Sequence, residues 1–230
     1  MWWYYFDPTM LIVLPAMIFA IWAQINVKTT FHKYSTVSTR NRCTGYDSAR
    51  RILDANGLYD VQIERVSGEL TDHYDPKANV IRLSDTVYGS DSVSAIGVAA
   101  HEAGHAVQYA KGYSPIKIRT AIFPVSRFGS AAAIPIFLIG IIFAYQPLMY
   151  AGIILFSLAA LFQLVTLPVE FNASRRAVEA LKGSGRFSED EIRPVKKVLS
   201  AAALTYVAAL ASSLLSLLRL IVIAGGRRRD

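Results

Sequence analysis

Three long stretches of the chain contain no charged residue, and each is followed by a segment rich in charged side chains. The stretches run from Pro8 to Val27, from Phe128 to Val169 and from Val198 to Leu218. A transmembrane helix needs about 20 predominantly apolar residues to cross a hydrocarbon layer of about 30 Å. Each stretch is long enough, so the pattern predicts a mainly α-helical membrane protein with about four transmembrane helices.

The middle stretch is long enough for two crossings and is interrupted by the sequence YQPLM. Pro147 has no N–H with which to continue a helix, and it disfavours helical geometry at Gln146. The interruption therefore predicts a tight helical hairpin.

The last stretch admits two interpretations. The sequence from Ser188 to Glu191 has the Ser-x-x-Glu form of a capping box, which predicts a helix that starts there and continues past Pro194. We favour a fourth crossing, because the uncharged run of 21 residues is long enough to span. The alternative is a bent or interfacial segment, in which residues 201–211 pack against other helices and Arg219 reaches the lipid head groups.

The segment between the first two stretches has the pattern of a small α+β domain. The sequence GYDSARRILDANGL has apolar residues at helical spacing and a stop at Gly57, which predicts a short amphipathic helix. Alternation of apolar and polar residues predicts short strands around residues 61–63 and 80–83, with turn chemistry in YDPKAN between them. A further helix is predicted from the Ser and Asp residues of GSDS to Gly112.

Basic residues flank the first stretch on one side only. The sequence MWWYYFDPT contains none, whereas Lys28 and Lys33 follow soon after the apolar run. The positive-inside rule then places the N-terminus outside and the polar segment in the cytoplasm. The apolar run lacks a basic n-region and a small-residue cleavage site, so we expect a retained anchor rather than a secretion signal.

The predicted organisation has five parts. They are an N-terminal transmembrane anchor (1–27), a cytoplasmic region (28–127), a transmembrane helical hairpin (128–169), a helix and loop returning to the cytoplasmic side (170–197), and a C-terminal membrane helix with a basic tail (198–230).

Composition narrows the class of protein. With 53% hydrophobic and 18% charged residues, the chain is too apolar for an ordinary soluble domain. The net charge of +7 is mostly explained by residues that flank the apolar stretches, and no basic stripe is interleaved with aromatics, so no nucleic-acid partner is expected. The single cysteine, Cys43, excludes an internal disulfide and any CxxC motif.

The sequence AAHEAGHAVQYA, residues 99–110, carries the chemistry. His101 and His105 are four residues apart on a predicted helix, so both imidazoles can reach one Zn²⁺ at about 2.0–2.1 Å. Glu102 points to the adjacent side, where it can accept a proton from a water whose pKa Zn²⁺ lowers toward about 7, while the ion polarises a peptide carbonyl. These are the requirements of amide hydrolysis.

The HExxH pattern can also arise by chance. Here, however, it uses two of the four histidines of the chain, and it lies in a helix with Gly97 and Gly104 in its interior. Glycine costs about 1 kcal/mol relative to alanine at such positions, so we expect another part of the chain to pack closely there.

A catalytic zinc needs three protein ligands and one open position. No histidine or cysteine follows His105 in the sequence, so the best candidate for the third ligand is a carboxylate. Glu170 comes directly after the apolar hairpin, in LPVEFNASRRA, on the side predicted for the HExxH helix. The alternative is that Glu170 is a solvated charge at the membrane interface.

The chain resembles the YugP-like membrane zinc metallopeptidases, which share their layout with the HtpX-type membrane proteases. The resemblance is carried in order by LTDHYDP, AAHEAGHAVQ, LPVEFNASRRA and AAALTYVAA, and it covers nearly the whole chain. It implies a neutral zinc peptidase with a small zincin-like domain, one Zn²⁺ held by His101, His105 and Glu170, and Glu102 as general base.

One position departs from the resemblance. The HtpX-type pattern has an acidic residue four positions after the ligand glutamate, where this chain has Ser174. A substitute for the hydrogen bond of that acid is then expected from Asn172, Ser174 or Arg175.

The sequence TDHYDP lies between the predicted strands. Zinc peptidases can bind substrate as a strand added to a sheet edge, and NVIRLSD, next to the HExxH helix, is a candidate for that edge. His73 and Tyr74 are then candidates for contacts with the oxyanion of the transition state. The alternative, which we favour, is that Asp72, Asp75 and Pro76 build a turn and His73 caps backbone groups.

We therefore predict a zinc-dependent endopeptidase that cleaves peptides or membrane proteins beside the membrane, with the bilayer as its other partner. Charged and polar residues around HExxH argue against cleavage inside the apolar layer. The other alternative is a catalytically silent membrane scaffold or adaptor that retains a metal site. An intact Glu102 argues against it, because a structural zinc site does not need a base.

Overall fold

The structure is a computed structural model, and it describes residues 7–226. In chain order it contains the following helices and strands: α1 (Met10–Ser35), α2 (Gly45–Ala55), β1 (Gln62–Val66), β2 (His73–Asp75), β3 (Val80–Ser84), α3 (Asp85–Tyr88), α4 (Val93–Ala110), α5 (Ser114–Ile142), α6 (Gln146–Gly183) and α7 (Glu189–Gly226).

Four of the helices, α1, α5, α6 and α7, are long and apolar enough to cross a membrane. The predicted fold class is confirmed in this form: the described chain is mainly helical, with four apolar helices of membrane-spanning length and a small sheet. The N-terminal aromatic cluster of the positive-inside argument and the basic tail after Gly226 lie largely outside the described residues.

The chain forms two compact units. The first contains the described residues up to Ala23, residues Ile118–Leu167, and the described residues from Thr205 onward. Its centre is the predicted hairpin, in which α5 and α6 are joined by residues 143–145 and Pro147 lies in the first turn of α6, where a missing N–H has no cost. A Cβ on Gly152 would come 2.8 Å from the carbonyl oxygen of Ala133, so the two helices of the hairpin are in close contact.

The first unit also contains an ion pair near the ends of two helices. Nη2 of Arg219 in α7 lies 2.8 Å from Oδ2 of Asp7, and Nε of Arg219 donates to the hydroxyl of Thr9 at 3.0 Å. Arg219 therefore binds residues that precede α1. In addition, α7 is one continuous helix, and it begins next to the predicted cap, where Ser188 donates its N–H to Glu191 Oε2.

The second unit contains residues Gln24–Lys117 and Pro168–Leu204. Its hydrophobic core is built mainly from α2, α4 and β3, with fully buried residues such as Leu53, Ile81, Leu83 and Ile96. The predicted amphipathic helix forms as α2, with Thr44 and Asp47 completing a capping box and Gly57 in the left-handed region beyond its end.

The small sheet has the strand order β1-β3-β2, with β1 parallel and β2 antiparallel to β3. The sequence NVIRLSD, which we expected at a sheet edge, is therefore the central strand, and this prediction is wrong. Its backbone N–H and C=O groups already pair with a strand on each side, because residues 73–75, assigned to a turn region from the sequence, form the third strand. The edge strand that contacts α4 is β2.

Candidate metal centre

Helix α4 presents both histidines of the HExxH motif on one face. Ser92 is its N-cap and accepts a hydrogen bond from the N–H of Ala95, so that the helix begins at Val93, with His101 at its midpoint and His105 in its second half. Residues four apart lie on the same side of a helix. The two imidazole rings accordingly meet edge to face, with their centroids 4.7 Å apart.

Glu170 lies against both histidines. Its Oε2 atom is 3.2 Å from Nε2 of His101 and 3.4 Å from Nε2 of His105. Only 2% of Glu170 is exposed, so the alternative of a solvated interfacial charge does not describe it. The sequence predicted this proximity from the return of the hairpin, and the structure brings the three side chains together.

The three residues fit a zinc ion by their donor atoms and by their spacing. Two imidazole nitrogens and one carboxylate oxygen are the donor set of a catalytic zinc site. One ligand atom from each residue lies within 4.8 Å of the others. A buried carboxylate is costly unless it is paired or binds a metal, and Glu170 lies beside both imidazoles of the HExxH motif.

A close helix contact positions Glu170. A Cβ on Gly104 would come 2.7 Å from the carbonyl oxygen of Ala173 in α6, so only glycine allows the two backbones to approach this closely. Gly97 is likewise packed, against the side chain of Val195 in α7. These contacts explain why the helix tolerates two interior glycines, as expected from the sequence.

Each histidine also contacts a polar side chain through Nδ1, the ring nitrogen that does not face Glu170. Nδ1 of His101 lies 3.1 Å from the hydroxyl of Ser174, and Nδ1 of His105 lies 3.0 Å from Oε1 of Gln108. Partners of this kind fix the ring orientation and the tautomer of a metal-binding histidine. Ser174, one of the three predicted substitutes for the missing acid, is therefore in direct contact with His101.

Gln108 fixes the tautomer of His105 through a network of hydrogen bonds. Its Nε2 donates to the backbone carbonyl of Val169 at 2.8 Å and to Oδ1 of Asn172 at 2.9 Å. Its Oε1 is thus free to accept a hydrogen bond from Nδ1 of His105, which leaves Nε2 of His105 facing Glu170. Gln108 is 0% exposed, which makes an unpaired group there costly.

Asn172, another of the predicted substitutes, contacts Gln108 and not a histidine. Its Oδ1 accepts from Gln108 and from Nε of Arg176, at 2.8 Å for the second bond. Arg175, the third predicted substitute, instead lies on the exposed side of α6, where its Nε is 3.9 Å from Glu179. Adjacent helix positions point about 100° apart, which is why Arg176 rather than Arg175 joins the network.

Sequence reasoning missed Gln108 and Arg176. The signal for Gln108 was its position three residues after His105, on the same helical face. Arg176 had a similar signal, since it lies four residues after Asn172.

Glu102 lies beside the histidines on α4 and is 8% exposed. Within the part of the chain that the structure describes, its carboxylate has no hydrogen-bond partner. The charge of Glu102 also affects Asp72, in the loop before β2. Burial raises the pKa of Asp72, and two hydrogen bonds from Ser84 lower it. The charge of Glu102 raises the pKa as well, so the pKa of Asp72 lies above its ordinary value. Glu102 is thus a carboxylate whose oxygens are available to a ligand.

His73 and Tyr74 lie on β2, and their polar contacts are local. Nδ1 of His73 is 2.8 Å from the carbonyl oxygen of Thr71, and the hydroxyl of Tyr74 donates to Oδ1 of Asn79 at 3.0 Å. Asp75 accepts from the N–H groups of the following turn. The contacts of Asp75 agree with the turn interpretation, which we favoured from the sequence, whereas Asp72 accepts hydrogen bonds from Ser84 at the end of β3 and not from the turn. A role of His73 or Tyr74 at the oxyanion stays a prediction.

Glu170 also changes the proton affinity of His105. Burial alone would lower the pKa of this imidazole, but the hydrogen bond and charge of Glu170 raise it by more, with smaller upward contributions from Glu102 and Gln108. The pKa of His105 therefore lies above its ordinary value when no metal is bound.

The fold and the site define a class: a helical protein with helices of membrane-spanning length and a group of two histidines and one glutamate that could hold a metal ion. The family model described as "Putative neutral zinc metallopeptidase" matches residues 9–225, and the chain belongs to this family. It is also similar to the "Putative membrane protease YugP" of Bacillus subtilis (strain 168), with 51% identity over 212 residues, 92% of this chain and 94% of that protein. No solved structure matches the chain.

Proposed function

We propose that this protein is a zinc-dependent endopeptidase that hydrolyses peptide bonds at the cytoplasmic face of the membrane. His101, His105 and Glu170 would hold one zinc ion per chain. The observation that carries the proposal is the convergence of two Nε2 atoms on one buried carboxylate, while the two Nδ1 atoms contact Ser174 and Gln108. In a family of zinc metallopeptidases, such a group is best explained as a ligand set.

Bound zinc and Glu102 would have different roles in the reaction. Bound zinc would supply Lewis acidity, which makes water more acidic and polarises a peptide carbonyl. Glu102 would hold the attacking water and accept its proton as the new C–O bond forms. When the C–N bond breaks, the same carboxyl group can return that proton to the departing amine, so that Glu102 is regenerated.

Ser174 and Gln108 would keep the two imidazoles oriented during this cycle. Each accepts or shares the Nδ1 proton of one histidine, so that Nε2 remains the ligand atom. Gln108 is in turn fixed by Val169 and Asn172, which are close in sequence to Glu170. The network therefore couples the position of His105 to the helix that supplies the third ligand.

The cytoplasmic location rests on charge. The positive-inside rule places the segment after α1 in the cytoplasm, and the hairpin of α5 and α6 returns the chain to the same side at Glu170. Substrates would be unstructured peptides or the exposed segments of membrane proteins. The bilayer serves as the second partner, because four helices are long and apolar enough to cross it.

The test is the substitution Glu102→Gln. The amide keeps the size of the side chain but cannot accept a proton, so we expect loss of peptidase activity toward an unstructured polypeptide while zinc remains bound. Glu179→Gln is the matched control, because Glu179 is on α6 with a largely exposed side chain and should leave activity unchanged.

A cellular measurement complements the assay. Fragments of membrane proteins that accumulate with the wild type should disappear with Glu102→Gln. Turnover near the wild-type rate in Glu102→Gln would show that the assignment of the base is wrong. A zinc-loaded wild type without activity on any unstructured polypeptide would instead favour the scaffold alternative.

A further inference from the structure

A groove lies in the unit that contains His101, His105 and Glu170, but it is formed by other residues. Its volume is about 430 Å³, and it lies between the last three turns of α1 and the first half of α7. Three lysines line it, together with hydroxyl groups and apolar side chains; the lining includes Thr30, Lys33, Lys196, Lys197, Ser200 and Leu204. We refer to it as the lysine groove.

The lysine groove carries unbalanced positive charge. Among the described residues, no carboxylate forms an ion pair with Lys33, Lys196 or Lys197. The carboxylate of Glu189 interacts with the charge of Lys196, but its ion pair is with Lys182, at 2.6 Å. All three lysines are exposed, so their ammonium groups are available to a ligand. Three cations around one groove favour an anion.

The lysine groove also lies where both helices change from polar to apolar. The uncharged run of α1 ends at Val27, shortly before Thr30 and Lys33. The uncharged run of α7 begins at Val198, directly after Lys197. In a bilayer this change of polarity coincides with the level of the lipid head groups. Toward the apolar side, the wall of the groove continues with Leu204.

We propose that the lysine groove binds one anionic phospholipid. Its phosphate lies among the three ammonium groups, where Thr30 and Ser200 can donate hydrogen bonds to phosphate oxygens. An acyl chain extends along Leu204 into the hydrocarbon layer. Basic pockets between transmembrane helices bind anionic head groups in this way, whereas a soluble anion would leave the apolar part of the groove unfilled. The lipid would link α1 to α7 beside the packing of Gly97 on Val195.

The test uses the full-length protein purified in detergent, stripped of lipid and titrated with phosphatidylglycerol or phosphatidylcholine, with bound lipids counted by native mass spectrometry. We expect one phosphatidylglycerol to bind in preference to phosphatidylcholine. The triple variant Lys33→Gln, Lys196→Gln, Lys197→Gln should bind phosphatidylglycerol about 100-fold more weakly, because each lysine near a phosphate contributes about a factor of five.

A matched triple variant controls for net charge. Lys28→Gln, Lys77→Gln, Lys111→Gln removes the same number of lysines outside the groove, and it should retain wild-type binding. Thermal unfolding of both variants checks that each is folded. Equal weakening in the two triple variants would show general attraction to anionic surfaces and overturn the proposal. So would equal binding of the two lipids by the wild type, or displacement of phosphatidylglycerol by an equimolar amount of inorganic phosphate.

Discussion

Gly104 in α4 lies directly against the carbonyl oxygen of Ala173 in α6. A Cβ at position 104 would be only 2.7 Å from that oxygen. This contact sets the separation of α4 and α6 near the metal centre. Glu170 and Ser174, which lie on either side of Ala173 along α6, both touch His101. The geometry of the proposed ligand set therefore depends on a backbone contact between two residues that are not proposed as ligands.

Gly104→Ala should weaken zinc binding and destabilise the protein. The added methyl group meets a backbone carbonyl that cannot move without shifting α6, and overpacking of this kind typically costs about 1–3 kcal/mol. Gly183→Ala is the control, because a Cβ there meets nothing within 4 Å. Zinc affinity by competition with a chelator and thermal unfolding measure the two effects. Wild-type affinity in Gly104→Ala would contradict the packing argument.

Glu170→Ala should abolish stoichiometric zinc binding, because two imidazoles alone leave the metal with too few protein ligands. Glu179→Ala on the same helix removes the same charge from an exposed position and should bind one zinc per chain. Metal analysis of the purified proteins distinguishes them. Full zinc occupancy in Glu170→Ala would exclude Glu170 as a ligand.

Gln108→Met should reduce zinc affinity by about 10–100-fold, as expected when the partner of a metal-binding histidine is removed. The substitution leaves Nδ1 of His105 and the carbonyl of Val169 without their buried partners, so thermal stability should also fall. Gln62→Met, at an exposed position of β1, is the control. If Gln108→Met lowers stability but leaves zinc affinity unchanged, Gln108 has a structural role only.

Zinc affinity should depend on pH through His105. A proton and zinc compete for Nε2, and the pKa of His105 in the metal-free protein is raised above its ordinary value of 6.5. The imidazole is therefore neutral only above this raised pKa, and the apparent affinity should fall as the pH decreases through it. Calorimetric titrations with zinc between about pH 6 and 8 test this, since ordinary histidines would show the decrease only near 6.5. Constant affinity over this range would contradict the prediction.

The C-terminus should lie outside the cell if α7 crosses the membrane. The contact of Arg219 with Asp7 supports this arrangement, because it joins the end of α7 to the start of α1. In a Cys43→Ala background, a cysteine added after Asp230 should react with a membrane-impermeant reagent in intact cells. Tyr59→Cys, at a position that is 75% exposed, should react only after lysis. Protection of the C-terminal cysteine until lysis would rule out the fourth crossing.

The sequence alone determined the features that depend on local spacing. The apolar runs specified four long helices, because a membrane-length stretch of uncharged residues has few other stable structures. The four-residue spacing of His101 and His105 specified a shared helical face, and the Ser92 cap and left-handed Gly112 delimit the helix that carries them. Glu170 was also found from the sequence, because the hairpin returns the chain to the side of HExxH.

Only the tertiary structure decided the features that depend on contacts between distant segments. The order of the strands placed residues 80–84 at the centre of the sheet, since strand pairing is set by which backbones meet and not by the alternation within one strand. The choice of Ser174 as the partner of His101, and of Val169 and Asn172 as the partners of Gln108, followed from the packing of α6 against α4, to which Gly104 and Ala173 contribute. Sequence spacing gives the face of each helix, but the angle at which two faces meet comes from their packing.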